Sequence, residues 1–221
     1  SYYGDTFAGV TVNLSLLTAQ NTGGGGTETI LNVENVSGTT FNDTLTGNSV
    51  ANFLWGGGGG ADILSGLGGD DILQGDSNGS KLFGGNGNDG LYGGSDTLAD
   101  GGAGNDTIVA TGTLNGGAGN DKITGGAGSF VGSTFVPKGS TITGGTGADT
   151  FIFDSANSSA DVGISKITDF SRLEGDKIDM HLLPANTGIL APLTYVGYAP
   201  FSSFSGHPEV RVVAGTGEQN V

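Results

Sequence analysis

The sequence predicts an all-β fold: a parallel β-roll (β-solenoid) with N-terminal capping strands and a β-rich C-terminal cap. Three observations predict it. Glycine supplies 46 of 221 residues without a Gly-X-Y period, which excludes collagen. A nine-residue unit recurs through the middle of the chain, and such a period marks a solenoid or array. Each unit carries one large apolar residue at the same place, enough for a thin core and too little for a compact one.

The unit is clearest in Gly116-Gly117-Ala118-Gly119-Asn120-Asp121-Lys122-Ile123-Thr124, and Gly84 to Tyr92 and Gly101 to Val109 repeat it. The pattern is G-G-x-G-x-D-x-U-x, with U a large apolar residue. Aligning on U gives Leu45, Leu54, Leu64, Leu73, Leu82, Leu91, Leu98, Ile108, Leu114, Ile123, Ile142 and Phe151. The glycines permit positive φ and close stacking of successive turns. The x-U-x segment is a short strand whose U side chain points inward while its neighbours face out. Two units make one coil, so aspartates two units apart fall on the same edge of the roll.

An aspartate recurring among glycine carbonyls offers hard oxygen ligands, which suit calcium. Calcium between coils turns the repulsion within an aspartate row into bridging, so binding and folding are expected to be one event. The formal net charge of -15 and the pI near 4.1 agree with a cation-binding surface and exclude nucleic acid as a partner. Cysteine is absent, so disulfides, thiolate metal sites and a cysteine nucleophile are excluded. No apolar run is long enough to span a membrane.

The repeat resembles that of the repeats-in-toxin (RTX) family over Gly38 to Ile152. The stretch GGTGADTFIFD, ISKITDF and GDKIDM between Gly144 and Met180 is similar to the C-terminal region of serralysin-type proteins. The resemblance implies calcium-loaded parallel β-rolls and type I secretion from a Gram-negative bacterium to the extracellular space or cell surface. It also implies further acidic ligands at Asp169, Asp176 and Asp179.

Three regions are expected: capping strands over 1–37, the roll over 38–152, and a β-rich cap over 153–221. Val10 to Leu14 alternates apolar and polar residues, and Thr29 to Val33 reads as a second strand. Tyr195, Tyr198, Phe201 and Phe204 suit a cap closing the solenoid's open end. The chain opens on Ser1 and stops at Val221 in what reads as mid-domain, so a leader or tail is expected beyond it.

Reading the two edges separately gives the expected metal residues. One edge carries Asn52, Asp71, Asp89, Asp106, Asp121 and Asp149, with Gly66, Gly84, Gly101, Gly116 and Gly144 as backbone ligands beside them. The other begins with Asp43 and Asp62, then has Ser80, a shortened turn at Gly93 to Asp96, a truncated turn at Ala110 to Gly112, and an insertion from Ser129 to Gly139. Several calcium ions are expected, filling the first edge and meeting the second mainly between Asp43 and Asp62.

No catalytic site is expected. Neither His181 nor His207 lies in an H-E-x-x-H zinc motif. Gly75 to Gly79 matches G-x-S-x-G, but on a roll turn with no helix behind it. The expected function is a non-catalytic calcium-binding module of a larger secreted protein, folding after secretion and acting as scaffold or stabiliser, with the type I machinery as a partner. The alternative is a carbohydrate- or cell-surface-binding module. In that case Phe130 and Phe135 of the insertion would face an extracellular polysaccharide.

Overall fold

A computed structural model describes residues 8–23, 26–75, 79–125, 129–131, 134–136, 139–152 and 165–179. Of the expected C-terminal cap, residues 153–164 and 180–221 lie outside the described residues, and with them Tyr195, Tyr198, Phe201, Phe204, His181 and His207; so do Asp76 to Asn78.

The roll is two parallel sheets of eight strands each, and the chain alternates between them. The first contains Thr11–Asn13, Thr44–Thr46, Ile63–Gly68, Lys81–Asn86, Thr97–Ala103, Gly112–Ala118, Thr141–Thr146 and Lys166–Ile167. The second contains Asn35–Ser37, Phe53–Trp55, Ile72–Gly75, Gly90–Gly93, Thr107–Ala110, Lys122–Gly125, Thr150–Ile152 and Lys177–Asp179. Each strand of these sheets pairs with the one a full coil away. The strands are short because each need only present one inward residue before the next glycine turn.

The core is two straight rows. Val12, Leu45, Leu64, Leu82, Ala99, Leu114, Ile142 and Ile167 stack in register in the first sheet. Val36, Leu54, Leu73, Leu91, Ile108, Ile123, Phe151 and Ile178 do so in the second. The leucines of both rows are completely buried. Phe170 packs on the last coil, its ring centroid 6.1 Å from that of Phe151.

The structure corrects the sequence register at one coil. Ala99, not Leu98, occupies the inward row, pairing with Leu82 and Leu114, and Leu98 faces out. The glycine turns impose this. Gly101 must stack in line with Gly84 and Gly116, and the inward residue lies two places before that glycine, as Leu82 and Leu114 do. A second correction concerns residues 29–33, which form no strand. Asn32 adopts a left-handed φ of 54°, and the strand begins only at Asn35.

The second glycine of the turn takes positive φ, as at Gly85 with φ 115°, where a Cβ would strike the Leu67 carbonyl. Leu67 itself occupies that position one coil earlier, at φ 75°. A left-handed leucine carries a steric penalty of roughly 1–2 kcal/mol.

Three results are expected in equilibrium denaturation. Leu91→Ala opens a cavity in the inward row and costs about 2–5 kcal/mol, whereas Leu98→Ser stays within about 0.5 kcal/mol of the parent. Leu67→Gly removes the left-handed penalty and raises stability by about 1 kcal/mol.

Candidate metal centre

Each aspartate of the repeat lies two residues before an inward apolar residue, at the end of a glycine turn. That position turns the carboxylate into the roll, and Asp71, Asp89, Asp106, Asp121 and Asp149 are at most 2% exposed. In each, Oδ1 accepts the backbone N–H of the ladder residue one coil earlier. Asn52 donates to Asp71 at 2.7 Å, Asp71 to Asp89 at 2.7 Å, and Asp89 to Asp106 at 2.7 Å. Asp106 donates to Asp121 at 2.8 Å, Asp121 to Asp149 at 2.9 Å, and Asp149 to Asp176 at 3.0 Å.

Oδ2 is left over. In Asp62, Asp71, Asp89, Asp106, Asp121 and Asp149 this atom is buried without a hydrogen bond. Burying a charged oxygen uncompensated is costly, so a row of such atoms calls for a positive partner. Beside each member of the Asp71 to Asp121 row stands its turn's first glycine. A Cβ at Gly66, Gly84, Gly101 or Gly116 would collide with Oδ2 of its own turn's aspartate, and would lie 2.5–2.6 Å from the carbonyl of the matching glycine in the next coil. Carboxylate and carbonyl oxygens thus converge in a cradle that only glycine leaves open.

The electrostatics follow from the burial. Desolvation pushes the Asp106 carboxyl up to about 7; the Asp89 amide opposes this, and repulsion from Asp121, Asp89 and Asp100 adds to it. Asp71 and Asp121 are pushed up to about 6, again chiefly by desolvation. Asp89 and Asp149 are raised for the same reason.

A second ladder has no counterpart in the sequence reading. The residue before each aspartate is often asparagine, and its Oδ1 accepts the amide of the next coil. Asn105 donates to Asn88 at 2.8 Å, Asn120 to Asn105 at 2.7 Å, and Ala148 to Asn120 at 2.7 Å. Asp70 plays the part for Asn88 at 2.8 Å. The signal that could have revealed it is the repeated Gly-Asn-Asp at Gly87, Gly104 and Gly119. The aspartate ladder points bonds forward along the chain and the asparagine ladder points them back.

The remaining predicted residues fall in distinct places. Asn52 heads the row as a neutral member, its Oδ1 accepting the Asn48 amide at 2.8 Å. On the other edge, both Asp43 oxygens are engaged: Oδ1 by the Val10 amide at 2.6 Å, and Oδ2 by the Thr39 amide at 2.7 Å. Asp62 Oδ1 accepts the Asp43 amide at 2.9 Å. Asp96 is exposed, with a left-handed φ of 58°, and Thr97 holds the ladder position next to it; this is the same one-residue offset as at Leu98. Asp169 receives the Gly144 and Gly145 amides at 2.9 and 2.8 Å. Asp176 receives the amides of Asp149 and Ser171. Asp179 lies on the last strand opposite Ile152.

Calcium fits this donor set. Among the described residues no three His, Cys, Asp or Glu side chains converge to hold a metal, so an ion here would take one or two carboxylate oxygens and complete its shell with carbonyls. Calcium accepts such shells, whereas structural zinc requires nitrogen or sulfur ligands.

The chain matches the family model described as peptidase M10, serralysin C terminal, over residues 23–210. No curated protein and no solved structure matches it.

The raised carboxyls make two opposite pH effects. Their folded pKa lies above the unfolded value near 3.8. In chelator, their contribution to stability is therefore complete below about pH 4 and is lost as pH rises through about 6–7. Metal binding has the reverse sign, because protons compete for the same oxygens. The calcium concentration at half-saturation is expected to rise several-fold between about pH 8 and about pH 5.5, as isothermal titration at each pH would measure.

Proposed function

The chain belongs to the peptidase M10 serralysin C-terminal family, and on that premise we propose that it is a calcium-dependent folding and stabilising module. The family is the non-catalytic C-terminal region of secreted bacterial proteases, with the two-sheet repeat architecture of RTX β-rolls. In this reading several calcium ions load the Asp71 to Asp149 edge. The module stays unfolded where calcium is scarce, passes through a type I channel, and folds outside a Gram-negative cell to stiffen the protein that carries it.

One observation carries the reading: the row of buried Oδ2 atoms without hydrogen bonds. Calcium, when bound, supplies the positive charge that makes their burial favourable. The chain's own residues do the rest. Asp Oδ1 ties successive coils through backbone amides, the first glycines leave space for the converging oxygens, and the inward rows exclude water from between the sheets.

The test is a calcium titration followed by circular dichroism. Cooperative gain of β structure is expected at roughly 0.1–1 mM calcium; a full β spectrum in excess chelator sinks the proposal. Asp106→Asn separates the two contributions. It keeps an Oδ1 acceptor for the Asp89 amide and removes one buried charge. It is expected to weaken the calcium response several-fold while making the chelated chain easier to fold.

A further inference from the structure

On the aspartate edge one side chain performs two tasks, since Oδ1 takes the neighbouring amide and Oδ2 remains. The opposite edge divides these tasks. Beyond Asp62 its ladder positions hold Ser80, Thr97, Gly112, Ser140 and Ser165. Ser80 Oγ accepts the Asp62 amide at 3.2 Å, Ser140 Oγ the Gly112 amide at 3.2 Å, and Ser165 Oγ the Ser140 amide at 3.1 Å. A hydroxyl reproduces the bond that Oδ1 makes. It is neutral and brings no second oxygen. Ser80, Thr97 and Ser140 are as deeply buried as the aspartates across the roll, yet none leaves an orphaned side-chain oxygen.

Two further observations point the same way. At Gly75, Gly93 and Gly125 the three atoms nearest the place a Cβ would take are side-chain atoms of Ser80 and Leu82, of Thr97, and of Ile142 and Ser140, where at Gly66, Gly84, Gly101 and Gly116 a carbonyl is among them. The turns also lose their uniformity. The aspartate edge repeats one turn, as in Gly66 to Asp71, Gly84 to Asp89, Gly101 to Asp106 and Gly116 to Asp121. The other edge passes from Gly93 to Thr97, then Ala110 to Gly112, and then to a connection from Gly125 to Ser140 bearing an antiparallel hairpin of Ser129–Val131 and Thr134–Val136. An ion bridging two coils needs the same turn twice in succession. A seam closed by hydroxyls has no such requirement, so it tolerates both the truncation and the hairpin.

We infer that the edge running from Ser80 to Ser165 is a metal-free seam, closed by hydroxyl–amide bonds at Ser80, Ser140 and Ser165 and by the Thr97 to Thr111 backbone bond between them, and that along these coils calcium loads the roll on one side only. This rests on the calcium reading above and adds to it which turns stay empty. Asp43 and Asp62 stand before the seam begins.

Calcium-loaded crystals, measured where calcium scatters anomalously, are expected to show peaks along the Asp71 to Asp149 turns and none beside Ser80, Thr97, Gly112 or Ser140. In solution, equilibrium dialysis with radiolabelled calcium should give Ser140→Ala and Thr97→Val the parent's number of ions, with half-saturation within about twofold. Asp106→Ser, which places seam chemistry on the opposite edge, should bind fewer. Peaks beside the seam residues, an ion lost in Ser140→Ala, or an unchanged count in Asp106→Ser would overturn the seam and leave the calcium module standing. No bound calcium on either edge would overturn both.

Discussion

A carboxylate has two oxygens, and each coil of this roll uses one of them to bind its neighbour. The Oδ1–amide bond recurs from Asn52 to Asp176 and sets the register of the turns. It also obliges a second oxygen, Oδ2, to be buried along the row from Asp71 to Asp149. The glycine content follows from the same constraint, because Oδ2 and a neighbouring carbonyl take the space a Cβ would need at Gly66, Gly84, Gly101 and Gly116. So does the acidic composition. Chain chemistry, backbone shape and the demand for a cation are one arrangement seen at three scales.

The two ladders make each coil dependent on both neighbours. Asp89 needs the coil after it to receive its amide, whereas Asn105 needs the coil before it. Nearest-neighbour coupling of this kind gives a repeat protein its cooperativity. The apolar rows reinforce it, since a single inward leucine per strand gains full burial only when stacked between two others.

Much of this was legible in the sequence. The fold class, eleven of the twelve inward residues and the two separate edges all follow from one period. What failed did so for local reasons. Leu98 is the larger residue, but the glycine stacking of Gly101 outranks side-chain size and brings Ala99 inward. Residues 29–33 have a strand's apolar content, yet Asn32 turns the backbone left-handed. The asparagine ladder was hidden because the x of G-x-D carries no demand of its own within a single unit. Its role exists only between coils. Asp169 and Asp176 were visible as acids, but their engagement with the amides of Gly144, Gly145 and Ser171 depends on a coil that lacks the glycine signature.

The uneven distribution of acid and hydroxyl also gives the molecule an electrical direction. In the folded roll the acidic row from Asp71 to Asp149 lines one long edge while neutral Ser80, Thr97 and Ser140 line the other. The roll is then polarised across its short axis, perpendicular to the direction in which its coils stack. Cations gathering on the acidic edge would shrink that transverse dipole. Each ion taken up as the chain folds therefore offsets part of a polarity that the two edges would otherwise impose.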